Sequence, residues 1–227
     1  MHTFNHKLNS ERFRVQFITN QWSEHSIPYQ VEKACQGGCK WIQLRLKDTP
    51  NETFQGIAFA IKKICEKYQA TFIVNDQVEI ALKVGAEGVH LGKDDMDPQK
   101  AKEILGKNKI IGATANTLDD ILILYEKGVD YFGLGPLRST FTKKKKAPVL
   151  GIDGYKKILN EMEIRNIDIP VAAIGGIVTK DMDELLKTGV SGLAISSLIS
   201  HNEDPEQITH QIMNELKNTM AYVKNRK

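Results

Sequence analysis

Two stretches of the sequence run from apolar residues straight into acid. Val74 leads into Asn75 and Asp76, and the apolar run 89–91 leads into Asp95. Carboxylates are hard oxygen ligands that Mg²⁺ takes one or two at a time, together with phosphate oxygens and water. An Asp in front of a helix can also cap it, so each acid taken singly leaves a capping role open. Two acids that each end an apolar run favour a metal site.

A third stretch carries cations in place of acids. In the segment 43–47, the alternation of side chains along a strand puts Gln43, Arg45 and Lys47 on one face. The planar fork of Arg and the point charge of Lys both suit phosphate oxygens, so this face predicts an anion clamp. A solvated charged edge is the alternative. It is weakened because Gln43 and Arg45 fall where the strand is otherwise buried.

Three further segments have the composition of phosphate-binding loops. The segment 135–146 is rich in hydroxyls and cations, which bind phosphate together with backbone N–H groups. Gly175 and Gly176 would let the backbone approach a ligand closely, because neither has a Cβ. Ser196 and Ser197 would open a short helix whose first N–H groups are unpaired and electropositive. Together these segments predict a ligand that carries phosphate.

These residues are far apart in the sequence, so a site requires a fold that brings them together. The pattern of apolar runs along the chain indicates which fold that is. Eight short apolar runs recur, at 15–19, 41–45, 71–75, 88–92, 109–113, 130–135, 170–176 and 192–196. Amphipathic helical patterns separate them, for example at 51–69, 117–128, 179–189 and 204–225. This alternation predicts an α/β fold, a single (β/α)8 TIM barrel with its active site at the C-terminal ends of the strands. An open, doubly wound sheet is the competing architecture.

Two of these helical patterns have matching start and stop signals. One opens with Thr117 as a capping residue and closes at Gly128, and the other has Thr179 before acidic residues and closes at Gly189. No composition shift or low-complexity linker interrupts the chain. We therefore expect an N-terminal extension over residues 1–12 and one catalytic barrel domain over residues 13–227.

Composition narrows the class of protein further. The 227 residues carry a net charge of +3, too balanced to argue for binding to nucleic acid or to a membrane surface. The three cysteines, with no CxxC pair among them, predict free thiols in a reducing compartment. No apolar signal segment opens the sequence and no run is long enough to span a bilayer, so a cytoplasmic location is expected.

In the predicted barrel all of these groups would share one mouth. Cationic clamps and paired carboxylates rarely lie together unless a divalent cation bridges the acids to a phosphate. The residues therefore favour a Mg²⁺-bound diphosphate on one side of the mouth and a monophosphate on the other. Two phosphorylated substrates meeting in this way indicate group transfer, with diphosphate as the leaving group.

Five segments in this order resemble the thiamine phosphate synthase family: QLRLK, VNDQVEIALKVGAEGVHLGKDD, DYFGLGPLRSTFTK, PVAAIGGI and GLAISSLI. The resemblance runs over residues 43–199. It implies a transferase that joins 4-amino-5-hydroxymethyl-2-methylpyrimidine diphosphate to 4-methyl-5-(2-hydroxyethyl)thiazole phosphate, or to its carboxylated form. The products would be thiamine phosphate and diphosphate, the cofactor Mg²⁺, and the protein a monomer or small homo-oligomer that binds two phosphorylated small molecules.

The same resemblance implies a role for each matching residue. The pyrimidine diphosphate would be bound by Gln43, Arg45, Lys47, Asn75, Thr114 and Lys143. The thiazole phosphate would be bound by Thr140, Phe141, Thr142, Gly176, Ser196 and Ser197. Mg²⁺ would be held by Asp76 and Asp95. The residues that stabilise the departing diphosphate, and so act in catalysis, would be Arg45, Lys47, Thr114 and Lys143.

The chain departs from the family pattern at a few positions. After strand five the family reads Ser-Ala-His-Thr, whereas here Thr114 keeps a hydroxyl and Asn116 replaces the His. A related family of thiazole tautomerases uses a His at that place for proton transfer, and Asn cannot shuttle protons near neutral pH. A tautomerase would need another carrier, and His90 is the nearby candidate. A non-catalytic phosphate-binding barrel is the third hypothesis, and it would have no need of Asp76, Asp95 and Arg45 together.

Overall fold

The computed structural model describes residues 11–139 and 148–224. Eight parallel strands close into one barrel in the order of the sequence, with β8 paired to β1. They are β1 (Val15–Ile18), β2 (Trp41–Leu44), β3 (Thr71–Asn75), β4 (Gly88–Leu91), β5 (Ile110–Ala115), β6 (Tyr131–Leu134), β7 (Val171–Ile174) and β8 (Gly192–Ile195). The predicted (β/α)8 barrel is confirmed, and the open-sheet alternative is wrong.

Helices follow the strands around the barrel. Over the described residues they are α1 (Ile27–Gln36), α2 (Asn51–Lys67), α3 (Val78–Val84), α4 (Pro98–Leu105), α5 (Leu118–Glu126), α6 (Gly151–Ile164), α7 (Met182–Lys187), α8 (Ser197–Ser200) and α9 (Pro205–Lys224). Two 3₁₀ segments, Glu11–Phe13 and Thr179–Asp181, precede β1 and α7. Within the described ranges, no helix combines the length and the apolar character that crossing a bilayer requires. Most of the predicted extension over residues 1–12 lies outside these ranges, so that domain boundary stays a prediction.

The strands are buried on both faces, which is why they read as continuous apolar runs rather than as alternating ones. Their outward side chains join the helices in one large core. Their inward side chains form a second, smaller cluster, which Phe13 of the 3₁₀ segment before β1 joins: Ile18, Trp41, Ile73, Ile110, Tyr131, Ala172 and Ala194. Tyr131 fits there because Gly112 on the next strand has no side chain, and a Cβ at that position would lie 2.1 Å from the ring. The barrel interior is therefore a packed core and not a pore.

The two matching helix signals in the sequence have different outcomes. Thr117 caps α5 as predicted: its hydroxyl accepts from the Asp120 N–H at 3.2 Å, and the Asp120 carboxylate accepts from the Thr117 N–H at 3.0 Å. Thr179 does not cap α7. It opens the 3₁₀ turn instead, and the Asp181 carboxylate accepts from the Val178 N–H at 2.8 Å. The pattern indicated a helix that starts after Thr179, but a 3₁₀ turn occupies residues 179–181 and the α-helix begins at Met182.

Candidate active site

The two acids that end apolar runs lie beside each other at the barrel mouth. Asp76 follows β3 in a left-handed backbone conformation, with φ at 64°. Burial raises the pKa of the Asp76 carboxyl to about 6, and a side-chain hydrogen bond with Asp95 acts in the same direction. The ammonium of Lys47 donates to Asp76 and opposes that shift. A half-buried carboxylate next to a second carboxylate is the arrangement that a divalent cation would relieve.

Helix capping does not explain these acids. The residue in front of α3 is Gln77, whose side chain makes no cap hydrogen bond, and α4 is capped by Asp97, which accepts from the Gln99 N–H at 2.9 Å. Asp95 instead accepts from the Gly92 N–H at 2.7 Å, which closes its own loop and fixes one carboxylate oxygen. The capping alternative for Asp76 and Asp95 is therefore wrong. Both carboxylates lie at the mouth of the barrel, beside each other.

The carboxylate oxygens of Asp76 and Asp95 suit a hard cation that takes few protein ligands. Among the described residues, no group of three or more His, Cys, Asp or Glu side chains could hold a metal ion. The described residues therefore do not form a zinc site of the closed type, which takes four Cys or His ligands. Two carboxylates at the mouth fit Mg²⁺, which completes its coordination with phosphate oxygens and water.

The cationic segment lies next to the acids, but not as part of β2. The strand ends at Leu44, one residue before the end of the apolar run 41–45. Arg45 and Lys47 therefore belong to the loop that follows β2. Burial lowers the pKa of the Arg45 guanidinium, and the nearby charge of Asp76 acts against that shift. Lys47 reaches Asp76 directly. Arg45, Lys47 and the acid therefore share one side of the mouth, as expected.

Two side chains from the loop after β1 hold this segment in place. The Thr19 hydroxyl accepts from the Arg45 N–H at 2.9 Å and donates to the Arg45 carbonyl at 3.2 Å. Gln21 does the same for Lys47, at 2.5 Å from its N–H and 3.0 Å from its carbonyl. Sequence reasoning missed both residues. Each lies 26 positions upstream of its partner, and only the β1–β2 pairing brings them near.

A chain of polar side chains crosses the barrel interior below the mouth. Gln43 contacts Gln16 at 3.2 Å, and Gln16 contacts the Tyr131 hydroxyl at 3.0 Å. The same hydroxyl lies 3.0 Å from His90 Nδ1, and His90 Nε2 lies 3.0 Å from the Thr114 hydroxyl. Burial raises the pKa of the Tyr131 phenol, so it stays protonated. Gln43 on β2 and Thr114 on β5 are thus linked through Gln16, Tyr131 and His90. No motif in the sequence indicated Gln16 or Tyr131.

The loops after β7 and β8 have the backbone features that the sequence predicted. Gly175 and Gly176 both adopt positive φ, at 100° and 70°, and a Cβ on Gly175 would lie 2.5 Å from Pro136. Ser196 precedes the four-residue α8, and its carbonyl accepts from the N–H groups of Ile199 and Ser200, both at 3.0 Å. Gly176 and Ser197 are exposed, and Ser196 is partly so. These groups are accessible to a ligand.

Four predicted residues cannot be placed. Thr140, Phe141, Thr142 and Lys143 lie outside the described residues, so their roles stay predictions. Asn75 is buried at the end of β3, paired with His90 across the sheet. Asn116, which replaces the family His, is also buried, and its amide donates to the Gly135 carbonyl at the end of β6. Asn116 therefore has a structural hydrogen bond that joins two strand ends.

Comparison with known proteins agrees with this arrangement. The family model described as thiamine monophosphate synthase matches residues 15–199. The chain belongs to this family. Two relatives named thiamine-phosphate synthase come from Phocaeicola vulgatus, at 44% identity over 91% of this chain and 100% of its own, and from Bacteroides thetaiotaomicron, at 46% over 88% and 96%. The expectation of a thiamine-phosphate synthase, a transferase, is thereby confirmed.

A solved structure shows the same fold at useful identity. The thiamine phosphate pyrophosphorylase of Pyrococcus furiosus superposes with a TM-score of 0.84 at 34% identity, covering 94% of this chain and 99% of its own. An orotidine 5'-phosphate decarboxylase from Pyrococcus horikoshii superposes with a TM-score of 0.64 at 13% identity, which shows the shared fold alone. The barrel is therefore common to several activities, and function depends on the residues at its mouth.

Proposed function

We propose that this thiamine-phosphate synthase uses Mg²⁺ and joins 4-amino-5-hydroxymethyl-2-methylpyrimidine diphosphate to 4-methyl-5-(2-hydroxyethyl)thiazole phosphate, or to its carboxylated form. The observation that carries the proposal is the adjacency of Asp76 and Asp95 beside the cations Arg45 and Lys47. A diphosphate group needs positive charge to be held there. Paired carboxylates would repel it unless a cation lay between them.

Asp76 and Asp95 would hold the Mg²⁺ ion. Bound there, the ion would supply Lewis-acid stabilisation of the charge that develops on the diphosphate. Lys47 now donates to Asp76, and it would be released to contact a phosphate oxygen when a cation takes its place. The raised pKa of Asp76 supports this reading, because burial beside another acid is a cost that binding a cation offsets.

The chain's own residues would act mainly on the leaving group. The bond between the pyrimidine methylene carbon and the diphosphate oxygen breaks, and its electron pair leaves with the diphosphate. Arg45, Lys47 and the Thr114 hydroxyl donate to the departing anion, with Lys143 as a further predicted donor. The thiazole nitrogen then forms its bond to the methylene carbon. No general base is needed, so electrostatic stabilisation by preorganised donors would be the principal source of rate.

The second substrate would bind on the opposite side of the mouth. Gly176, Ser196 and Ser197 offer backbone N–H groups and hydroxyls to the thiazole phosphate, and Thr140, Phe141 and Thr142 are the predicted remainder of this site. Asn75 and Gln43 offer amides to the pyrimidine side. Gln16 already holds the Gln43 amide at 3.2 Å, which fixes its position, and Asn75 is buried at the end of β3.

An isomerase of the tautomerase type has no support from the site. Asn116 is engaged with the Gly135 carbonyl, and His90 is engaged on both ring nitrogens, with Tyr131 and with Thr114. A non-catalytic phosphate-binding barrel would not need adjacent Asp76 and Asp95. The three buried, free cysteines agree with a reducing compartment, which supports the cytoplasmic location that we propose.

Replacement of the acids tests the proposal. Asp76→Asn and Asp95→Asn each keep the shape of the side chain but remove the charge that would hold the cation. We expect each variant to lower kcat/KM for thiamine phosphate formation by about 100-fold or more, as for loss of a preorganised charge-stabilising group. Steady-state assays with both substrates, at several Mg²⁺ concentrations and with EDTA, measure the effect.

Asp97→Asn is the matched control. Asp97 lies two positions from Asp95, but it caps α4 and pairs with Lys127 at 2.6 Å, and Asn caps a helix about as well as Asp. This variant should keep wild-type turnover. Full activity of Asp76→Asn or Asp95→Asn, or turnover by the wild type that EDTA does not reduce, would refute the metal assignment.

A further inference from the structure

Arg138 joins the loop after β6 to the loop after β7. Its guanidinium contacts both carboxylate oxygens of Asp181, with Nη1 at 2.6 Å from Oδ2 and Nη2 at 2.8 Å from Oδ1. Nη1 also donates to the Gly176 carbonyl at 2.5 Å, and the Arg138 N–H donates to the Gly175 carbonyl at 3.2 Å. Arg138 therefore binds the carbonyl groups of both glycines after β7, Gly176 through its side chain and Gly175 through its backbone N–H.

These contacts set the direction of two peptide groups. In a trans peptide the C=O and N–H point in opposite directions. Arg138 holds the Gly175 and Gly176 carbonyls, so the N–H groups of Gly176 and Ile177 point away from it. Within the described part of the chain, neither N–H group has a hydrogen-bond partner. Two adjacent N–H groups that follow Gly175 and Gly176, both at positive φ, are the kind of backbone arrangement that can bind an anion.

Asp181 makes the contact rigid. It is buried, and besides the Arg138 guanidinium it accepts from the Val178 N–H at 2.8 Å. It thus belongs to the turn that directly follows the glycines. The bidentate geometry is one that Arg can adopt and Lys cannot, because the planar fork presents two parallel N–H groups. Without this pairing the Gly176 carbonyl would lose its side-chain contact and could reorient, whereas the Gly175 carbonyl would keep the Arg138 N–H.

We propose that Arg138 and Asp181 are positioning residues for the thiazole-phosphate site, which they serve by orienting the peptide groups on either side of Gly176. This inference rests on the proposed function for the identity of the phosphate. Arg138 acts through the backbone here and not as a charge on the substrate. The geometry of its fork therefore matters, and not its positive charge alone.

Three substitutions test the inference: Arg138→Ala, Arg138→Lys and Asp181→Asn. Each should raise KM for the thiazole phosphate by about 10-fold or more, the effect of losing one or two net hydrogen bonds at a binding site. KM for the pyrimidine diphosphate should stay within about twofold of wild type, because that site lies on the other side of the mouth. Arg138→Lys should not restore binding, since a lysine cannot contact both Asp181 oxygens and the Gly176 carbonyl.

Arg165→Ala is the matched control, because Arg165 pairs with Glu161 at 3.2 Å on the exposed surface of α6. Its kinetic constants should equal those of the wild type. Thermal melts of every variant establish that the barrel is folded, and if Arg138→Ala is not, Asp181→Asn carries the test. Wild-type constants in Arg138→Lys would mean that charge suffices, and equal rises in both KM values would mean a general structural role. Either result overturns the inference.

Calorimetric titration with the thiazole phosphate alone separates this inference from the proposed function. Binding that is weakened in Arg138→Ala supports the positioning role even if the wild type does not turn over with Mg²⁺. Equal binding by the wild type and the variant overturns the positioning role, whatever the activity. An active wild type that EDTA inhibits, with unchanged constants in all three variants, would keep the proposed function and remove only the role of Arg138 and Asp181.

Discussion

The polar side chains below the mouth of the barrel are held in place by hydrogen bonds to one another. The Tyr131 hydroxyl is the clearest case, because it lies between Gln16 and His90 inside the barrel, at 3.0 Å from each. His90 in turn lies 3.0 Å from the Thr114 hydroxyl, which we assign to the leaving group. Deleting the Tyr131 hydroxyl would therefore leave two buried polar groups short of a partner, and it would loosen His90, which contacts the Thr114 hydroxyl.

Tyr131→Phe tests this at the level of stability. We expect it to lower the free energy of unfolding by about 1–3 kcal/mol, the usual cost of a buried polar group left without its hydrogen bond. Urea denaturation followed by circular dichroism measures the change. Tyr29→Phe is the comparison, because Tyr29 is exposed on α1, and it should change stability by less than about 0.5 kcal/mol. Equal stabilities for Tyr131→Phe and wild type would show that the hydroxyl contacts contribute nothing.

Secondary-structure elements position the site through their ends. Each strand ends at the mouth, and the residues that we propose for the site lie at or just after a strand end, as with Asp76 after β3 and Thr114 near the end of β5. The start of the following helix then fixes the loop. At α5 the Asp120 carboxylate accepts from the Asn116 and Thr117 N–H groups and pairs with Lys93 at 2.6 Å, so one helix start ties together the loops after β4 and β5.

Thr117→Ala should therefore destabilise the protein more than Thr179→Ala. Loss of the capping hydroxyl is expected to cost about 1 kcal/mol in the free energy of unfolding. Thr179→Ala is the internal comparison, since Thr179 opens a 3₁₀ turn in which the cap hydrogen bond comes from Asp181. Denaturant melts of the two variants should separate them, and an equal effect of both would contradict the assigned capping box.

At the scale of the whole molecule, closing the barrel buries side chains far apart in sequence. Cys35, Cys39 and Cys65 are all free and buried. Burial raises the pKa of Cys35 to about 12 and that of Cys39 to about 11, and it raises the pKa of Cys65 as well. The reactive thiolate form is therefore scarce near neutral pH, and access is blocked besides.

We expect the native protein not to react with Ellman's reagent at about pH 8, where an ordinary thiol would react readily. In guanidinium chloride all three thiols of the chain should react. The rate of native labelling, measured by absorbance, would then report global unfolding rather than local access. Rapid reaction of even one thiol in the native state would show that part of the core opens without global unfolding.

The amino-acid sequence by itself determined the architecture and most of the site. Strands buried on both faces must be continuously apolar, so eight such runs between amphipathic helices predicted a barrel, with Asp76, Asp95 and Arg45 at one mouth. The pairing of β8 with β1 then excluded the open sheet. Local patterns also identified the glycine and serine loops. These features depend on neighbours within a few positions, which a sequence records directly.

Only the tertiary structure decided which residues support that site. Thr19 and Gln21 hold the cationic segment, Tyr131 and Gln16 link Gln43 to Thr114, and Arg138 reaches Asp181 and the glycines after β7. Their partners lie from 26 to 115 positions away. Where α3 and α4 begin likewise shows that Asp76 and Asp95 cap neither helix, which the sequence had left open. Hydrogen bonds between distant segments depend on how barrel closure brings strand ends together, and no local pattern encodes that distance.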